Sequence, residues 1–165
     1  MKLLLIVTFT IVGLAIAGDK NGIRVEKDTG ELYVLVSTKK EGKYEPGATR
    51  GTAFVYLRVQ NTSDHPATLN LKGFYLRTTD GKALQILSIE EAAARAPLIV
   101  QPMLRLNRPT LSGNTMMQFP DQAIPPKSYR EGLLIFEGTG DAGNQKQPVT
   151  LHLPGLLNEP IPINW

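Results

Sequence analysis

The 165-residue sequence contains no cysteine. That excludes disulfides as a support for the fold and thiolate ligand sets for zinc or iron–sulfur clusters. It also leaves no cysteine after the N-terminal apolar segment to carry a lipid. There are two histidines, His65 and His152, whereas tight zinc or copper sites use three or four nitrogen, sulfur or carboxylate ligands. A two-histidine copper site helped by Met116 or Met117 is the remaining metal option, and no metal or cofactor is expected. Charge of one sign is scarce too. Lys and Arg number 18 against 15 Asp and Glu, a net charge of +3, too mild an excess to argue for nucleic acid or an anionic membrane surface.

Catalytic patterns are equally thin. No Gly-x-Ser-x-Gly elbow occurs, and Gly138-Thr139-Gly140 lacks the rest of either nucleotide-binding fingerprint. Asp141 and Asn144 are too few oxygen ligands for calcium, and no EF-hand spacing exists. Glu90 and Glu91 are neighbours on a short helix and point different ways, which suits stabilising its N-terminus rather than glycoside hydrolysis.

What is present starts at the N-terminus. Lys2 precedes an apolar run over 3–16 that ends in Ala15-Ile16-Ala17, the arrangement of a secretory signal peptide. The run is shorter than the roughly 20 residues that span a bilayer. The reading is therefore a signal peptide over 1–17 and one mature domain over 18–165, with no membrane span after cleavage. Without Lys2 the mature chain carries 17 basic and 15 acidic residues, a net charge of +2. A cysteine-free exported domain of this size must be held by its core, which fits a bacterial periplasmic or extracellular protein. Asn61-Thr62-Ser63 matches a glycosylation sequon, which matters only in a eukaryotic host.

The chain is organised around 51–87. Ala53, Val55, Leu57 and Val59 alternate with Phe54, Tyr56, Arg58 and Gln60, a strand pattern with the aliphatic set facing a core. The polar run 61–66 breaks it, and alternation resumes with Leu69 and Leu71, then Phe74 and Leu76. Asp80-Gly81 signals a hairpin into a return strand through Leu84 and Ile86. Elsewhere, 31–38 and 148–153 read as strands and 128–137 as a strand buried on both faces. The segment 19–30 reads as polar and loose, 39–50 and 138–147 as loops, and 154–165 as an extended Pro-rich tail. The Lys39, Lys40 and Lys43 cluster reads as a solvated loop, with an acidic partner as the alternative. Ser88 and Glu91 form a capping box for one helix over 88–96, stopped by Pro97 and placed as a plug over one end of the β-structure. The total is about seven strands and one short helix, an all-β, antiparallel, immunoglobulin-like β-sandwich, with a small closed barrel as the alternative.

Two segments suggest a family. One is Val59-Gln60-Asn61-Thr62-Ser63-Asp64-His65-Pro66, followed by the aromatic strand and turn over 74–82. The other is the Pro-Pro-Lys-Ser-x-x-x-Gly-x-Leu-x-Phe run over 125–136. Over 51–153 the chain resembles exported bacterial telokin-like or immunoglobulin-like domains of the DUF4352 type. The resemblance implies a sandwich fold and an envelope location and brings no catalytic residues. The helix and the proline-rich stretch after it depart from the pattern.

That stretch, 98–126, is long and irregular and carries many apolar residues. It is either a packed crossover or an exposed surface with adaptable methionines. Met103, Leu104, Leu106, Met116, Met117 and Phe119 are the candidate partner-binding residues. Trp165 either packs on the domain or anchors in a partner. The functional expectation is a non-catalytic, exported binding module whose partner is another envelope protein. The alternatives are an enzyme acting on envelope polymers through carboxylates that the sequence does not pair, and a small-ligand or metal carrier.

Overall fold

The computed structural model describes residues 22–42, 44, 46–48, 51–95, 118–138 and 148–165. The expected signal peptide over 1–17 and all but Gly138 of the expected loop over 138–147 lie outside them. The fold is all-β: an antiparallel immunoglobulin-like sandwich of two sheets with one short helix, α1 (Ile89–Arg95).

The first sheet is built on β4 (Thr52–Asn61). One edge of β4 pairs along its length with β7 (Tyr129–Glu137), from Thr52 opposite Glu137 to Gln60 opposite Tyr129. Its other edge is shared by β2 (Leu32–Ser37) and the two-residue β3 (Gly47–Ala48). β1 (Arg24–Asp28) lies outside β2. The second sheet has the order β6 (Ala83–Gln85), β5 (Tyr75–Thr78), β8 (Val149–His152), β9 (Ile161–Ile163). The strand count is thus slightly above the expected seven.

The alternation in β4 sets the core as its sequence dictates. Ala53, Val55, Leu57 and Val59 point inward with Val34 and Val36 of β2 and with Leu134 and Phe136 of β7. They meet Leu76, Leu84, Val149, Leu151, Ile161 and Ile163 from the second sheet. Trp165 packs on this core, as the packing alternative requires. The β5–β6 hairpin turns at the Asp80-Gly81 pair. Gly81 takes φ +89°, its amide donates to Thr78 O at 3.0 Å, and the Thr78 amide donates to Lys82 O at 2.9 Å. A positive φ is strained for a side-chain-bearing residue, so glycine belongs there.

The sandwich is sealed along one side. Beyond β6 the chain leaves the second sheet and pairs with β7: Ile86 bridges Phe136, and the Leu87 amide donates to Ile135 O at 2.7 Å. Next to it the Phe119 amide donates to Leu133 O at 2.9 Å. These contacts occupy β7's outer edge, which would otherwise offer a row of unpaired donors and acceptors. The free edge at β9 carries Pro162, which lacks the N–H a further strand would need, and β1 is blunted by Arg24, Glu26, Lys27 and Asp28.

Besides the two-residue β3 inside the expected loop over 39–50, four expectations change. Residues 24–28 form a strand, not a loose segment: an edge strand leaves its side chains half solvated and so reads as polar. The Leu69–Leu71 spacing belongs to an irregular passage ending in a 3-10 turn, Leu71–Gly73, because Ala67 bonds Ile124 instead of entering a sheet. The tail contains β9, whose Pro162 is tolerated at an edge. Finally, α1 is not an end plug. It lies on the outer face of the first sheet, where Ala92, with Ile89 and Ala93, packs on Leu35, Phe54, Leu87, Leu133 and Ile135. That cover explains why β4 and β7 are apolar on both faces.

The helix is held by the expected box. The Glu91 amide donates to Ser88 Oγ at 3.2 Å, and the Ser88 amide donates to the Glu91 carboxylate at 2.8 Å. The second bond, first among its causes, holds the Glu91 carboxyl below its ordinary pKa. A depressed carboxylate contributes at neutral pH and loses that contribution as pH falls through its folded value. Ser88→Ala is expected to lower stability by about 1 kcal/mol. A urea midpoint that falls at unchanged slope checks this.

Candidate functional site

The segments 59–66 and 125–136 meet at one end of β4, where the Asn61 amide donates to Ser128 O at 2.8 Å. Asn61 is fully buried, and its side chain is completely used. Nδ2 donates to His65 O at 2.6 Å and to Ile124 O at 3.0 Å, while Oδ1 accepts from the Ser63 amide at 3.0 Å and from Ser63 Oγ at 2.8 Å. Lys127, at φ +54°, donates from Nζ to Thr62 O at 2.6 Å and pairs with Asp64 at 3.1 Å. The motif residues therefore fasten the 61–66 turn to the 124–128 turn. They are structural, and the sequon nitrogen of Asn61 is not open to a glycan in the folded domain.

The outer face of the first sheet divides in two. α1 covers the half around Phe54, Leu133 and Ile135. The strand register lays out the open half in rows. Glu26, Leu35, Arg58 and Glu131 form one, with Leu35 buried at the margin of the helix-covered cluster; Asp28, Tyr33, Gln60 and Tyr129 form the next. Its groups fix one another. Tyr33 donates its hydroxyl to Glu26, and Arg24 pairs with Glu26 and, at 3.2 Å, with Glu41. Tyr56 donates to Glu131 at 2.8 Å, and the Tyr44 and Tyr56 rings lie 5.1 Å apart at 44°. Arg58 stands over the Tyr129 ring, its guanidinium carbon 4.2 Å from the ring centre. Tyr129 is 47% exposed and is the one large apolar side chain so exposed among the described residues.

The electrostatics suit recognition better than proton transfer. Burial, then the Glu131 charge, pushes the Tyr44 hydroxyl up to about 12. Burial, then the hydrogen bond to Glu131, also raises Tyr56. Both hydroxyls stay protonated at neutral pH and act as donors, not bases. The hydrogen bond from the Tyr33 hydroxyl, with the Arg24 charge and against the opposing effect of burial, holds the Glu26 carboxyl below its ordinary range, so it remains a fixed acceptor.

The outer face of the second sheet has a different character. Gln85, Tyr75 and His152 stand in one row, and Ala83, Arg77, Thr150 and Pro162 in the next. The Tyr75 and His152 rings stack at 4.5 Å and 6°, and Thr150 Oγ1 lies 3.0 Å from His152 Nε2.

Of the expected contact residues, Phe119 is placed clearly and against expectation. It is 3% exposed and packs in the core between the sheets, so it is not a surface for a partner. The backbone at Gln118 and Phe119 passes directly over Gly132, whose lack of a side chain leaves room for it. Met103, Leu104, Leu106, Met116 and Met117 lie outside the described residues. His65 sits in the turn after β4 and His152 on β8, and among the described residues no three His, Cys, Asp or Glu side chains gather as a metal site. Among them, too, no helix is long and apolar enough to cross a membrane. The outward-facing Arg58 was readable from β4's alternation. Tyr129 was not singled out by the sequence, because its pairing with Arg58 depends on the β4–β7 register.

Compared with protein-family models, with curated proteins and with solved structures, the chain finds no match.

Proposed function

We propose that the chain is an exported, non-catalytic binding module of a bacterial cell envelope, and that it engages another envelope protein through the open half of the first sheet's outer face. Export rests on the charged start, apolar run and Ala15-Ile16-Ala17 site of residues 1–17. The observation that carries the binding reading is the Arg58–Tyr129 pair. Arginine and tyrosine are the residue types that concentrate binding energy at protein interfaces, and the ring and cation hold each other in place. They project from adjacent strands rather than from loops, so little ordering is left for the moment of binding.

The test is crosslinking of the full-length gene product in its own source, capture from the envelope fraction, and comparison with the Arg58→Ala/Tyr129→Ala variant. The mature protein is expected to begin at Gly18 and to hold one saturable protein partner. The double variant is expected to bind at least about 30-fold more weakly, the equivalent of one interface hot spot, with its melting temperature unchanged. Undiminished binding by the variant, or retention on purified wall polymer in place of a protein, overturns the proposal.

A further inference from the structure

We propose that the outer face of the second sheet, centred on Tyr75, Arg77, Thr150 and His152, is a docking surface for an acidic peptide segment of a partner protein, with carboxylates seated against Arg77 and His152. The register supplies the first argument. The outward positions of this sheet are Ala83 and Gln85 on β6, Tyr75 and Arg77 on β5, Thr150 and His152 on β8, and Pro162 on β9. None is acidic. Arg77 is exposed and makes no ion pair among the described residues; its guanidinium carbon stands 5.7 Å from the centre of the Tyr75 ring. Arg24, Arg95, Lys27 and Lys127, by contrast, each pair with a carboxylate. An unpaired guanidinium on a rigid, acid-free strand face is complementary to carboxylate, which it can take in a two-pronged contact.

His152 adds the second argument. Burial, then the Arg77 charge, holds its imidazole below the ordinary value, so the free protein carries a neutral His152 at neutral pH. The titratable and charged groups facing it are Arg77 and Tyr75 of β5; β6 and β9 present none on this side. A carboxylate placed between Arg77 and His152 screens the repulsion and rewards protonation. The Thr150 hydroxyl can donate to the neutral ring or accept from the charged one, so protonation need not break the 3.0 Å contact. Stacking on Tyr75 favours the cation as well. Binding therefore takes up a proton, and affinity rises as pH falls.

This surface is separate from the Arg58–Tyr129 face, since the two lie on opposite sides of the sandwich. The probe is a fluorescein-labelled oligoglutamate peptide, with oligoglutamine as the uncharged control, read by anisotropy at pH about 5.5 and about 7.5, on either side of the ordinary histidine range. Saturable oligoglutamate binding is expected, about tenfold tighter at the lower pH for each unit by which binding raises the His152 pKa. Arg77→Gln is expected to weaken binding at least about tenfold at both pH values, one charge-assisted contact being lost. His152→Gln is expected to keep the neutral-pH affinity and lose the pH dependence. In free Arg77→Gln the His152 ring, followed by NMR, is expected to titrate at higher pH than in the parent. The Arg58→Ala/Tyr129→Ala variant is expected to bind the peptide normally, which separates failure here from failure of the first surface. Oligoglutamate binding no better than oligoglutamine overturns the proposal. So does Arg77-independent binding, or Arg77-dependent retention on anionic phospholipid vesicles with the peptide ignored.

Discussion

Gly132→Ala is expected to destabilise the domain by about 3 kcal/mol or more, a larger loss than any surface substitution here. Gly132 occupies a core-facing position of β7, in line with Leu134 and Phe136. It has no side chain because the chain at 118–119 passes directly over it. A Cβ built there would meet the Phe119 amide nitrogen, would lie 2.5 Å from Phe119 Cα, and 2.6 Å from the Gln118 carbonyl carbon. These are backbone atoms held by the Phe119 to Leu133 hydrogen bond, so they cannot swing aside as a side-chain tip would. To accept a methyl group, the 118–119 segment must lift off β7. It then gives up that bond, the Gln118 Nε2 contact to Leu87 O and the burial of Phe119. Overpacking alone costs about 1–3 kcal/mol, and removing a phenylalanine from a core about 3–5 kcal/mol. At roughly 3 °C per kcal/mol for a domain of this size, the melting temperature should fall by about 9 °C. A loss under about 1 kcal/mol would mean that 118–119 does not rest on β7 in solution. The same geometry accounts for the correction at Phe119. A large apolar residue after a proline-rich stretch looks available to a partner until the glycine that accommodates it is known to lie beneath.

How much of this was legible beforehand divides along physical lines. Local signals were reliable where one short-range effect dominates. The alternation of β4, the Asp80-Gly81 turn and the Ser88–Glu91 box each depend on residues within a few positions of one another, and each is present. Signals failed where partners are distant in sequence. β1 reads as charged and loose because its order comes from pairing with β2, not from its own propensity. β9 contains proline, which argues against a strand until its edge position is known. Leu69 and Leu71 have strand spacing, but the Ala67–Ile124 pairing draws that passage elsewhere. The candidate surfaces show the same limit. Arg58 could be assigned an outward face from β4 alone. Its placement over Tyr129 follows from a register that spans about half the chain, and so does the alignment of Arg77 with Thr150.

Asn61→Asp is expected to cost about 3–5 kcal/mol at neutral pH, the range for leaving an uncompensated charge in the interior. The exchange is nearly isosteric, so the effect is one of donors and charge. Asn61 Nδ2 gives two hydrogen bonds, to His65 O and Ile124 O, while Oδ1 accepts two from Ser63. An ionised aspartate keeps the two it accepts. Its second oxygen, however, faces two carbonyl oxygens with no hydrogen to offer, in a place with no access to water. The neutral acid restores one donor, so the folded state favours the protonated form and the folded pKa of the introduced group is raised. The unfolded chain then holds fewer protons than the folded one between the two pKa values, and stability falls as pH rises through that window. The deficit is therefore expected to shrink toward acid pH. Asn61→Ala is a useful comparison. It removes the four bonds without adding charge, and the Ile124 carbonyl still accepts from the Ala67 amide at 3.0 Å. Its cost is expected to be about 1–3 kcal/mol and nearly independent of pH. Denaturant unfolding of both variants at neutral and mildly acid pH separates the two effects. If the aspartate variant is no less stable than the alanine variant at neutral pH, the two donated bonds do not hold the 61–66 and 124–128 turns together.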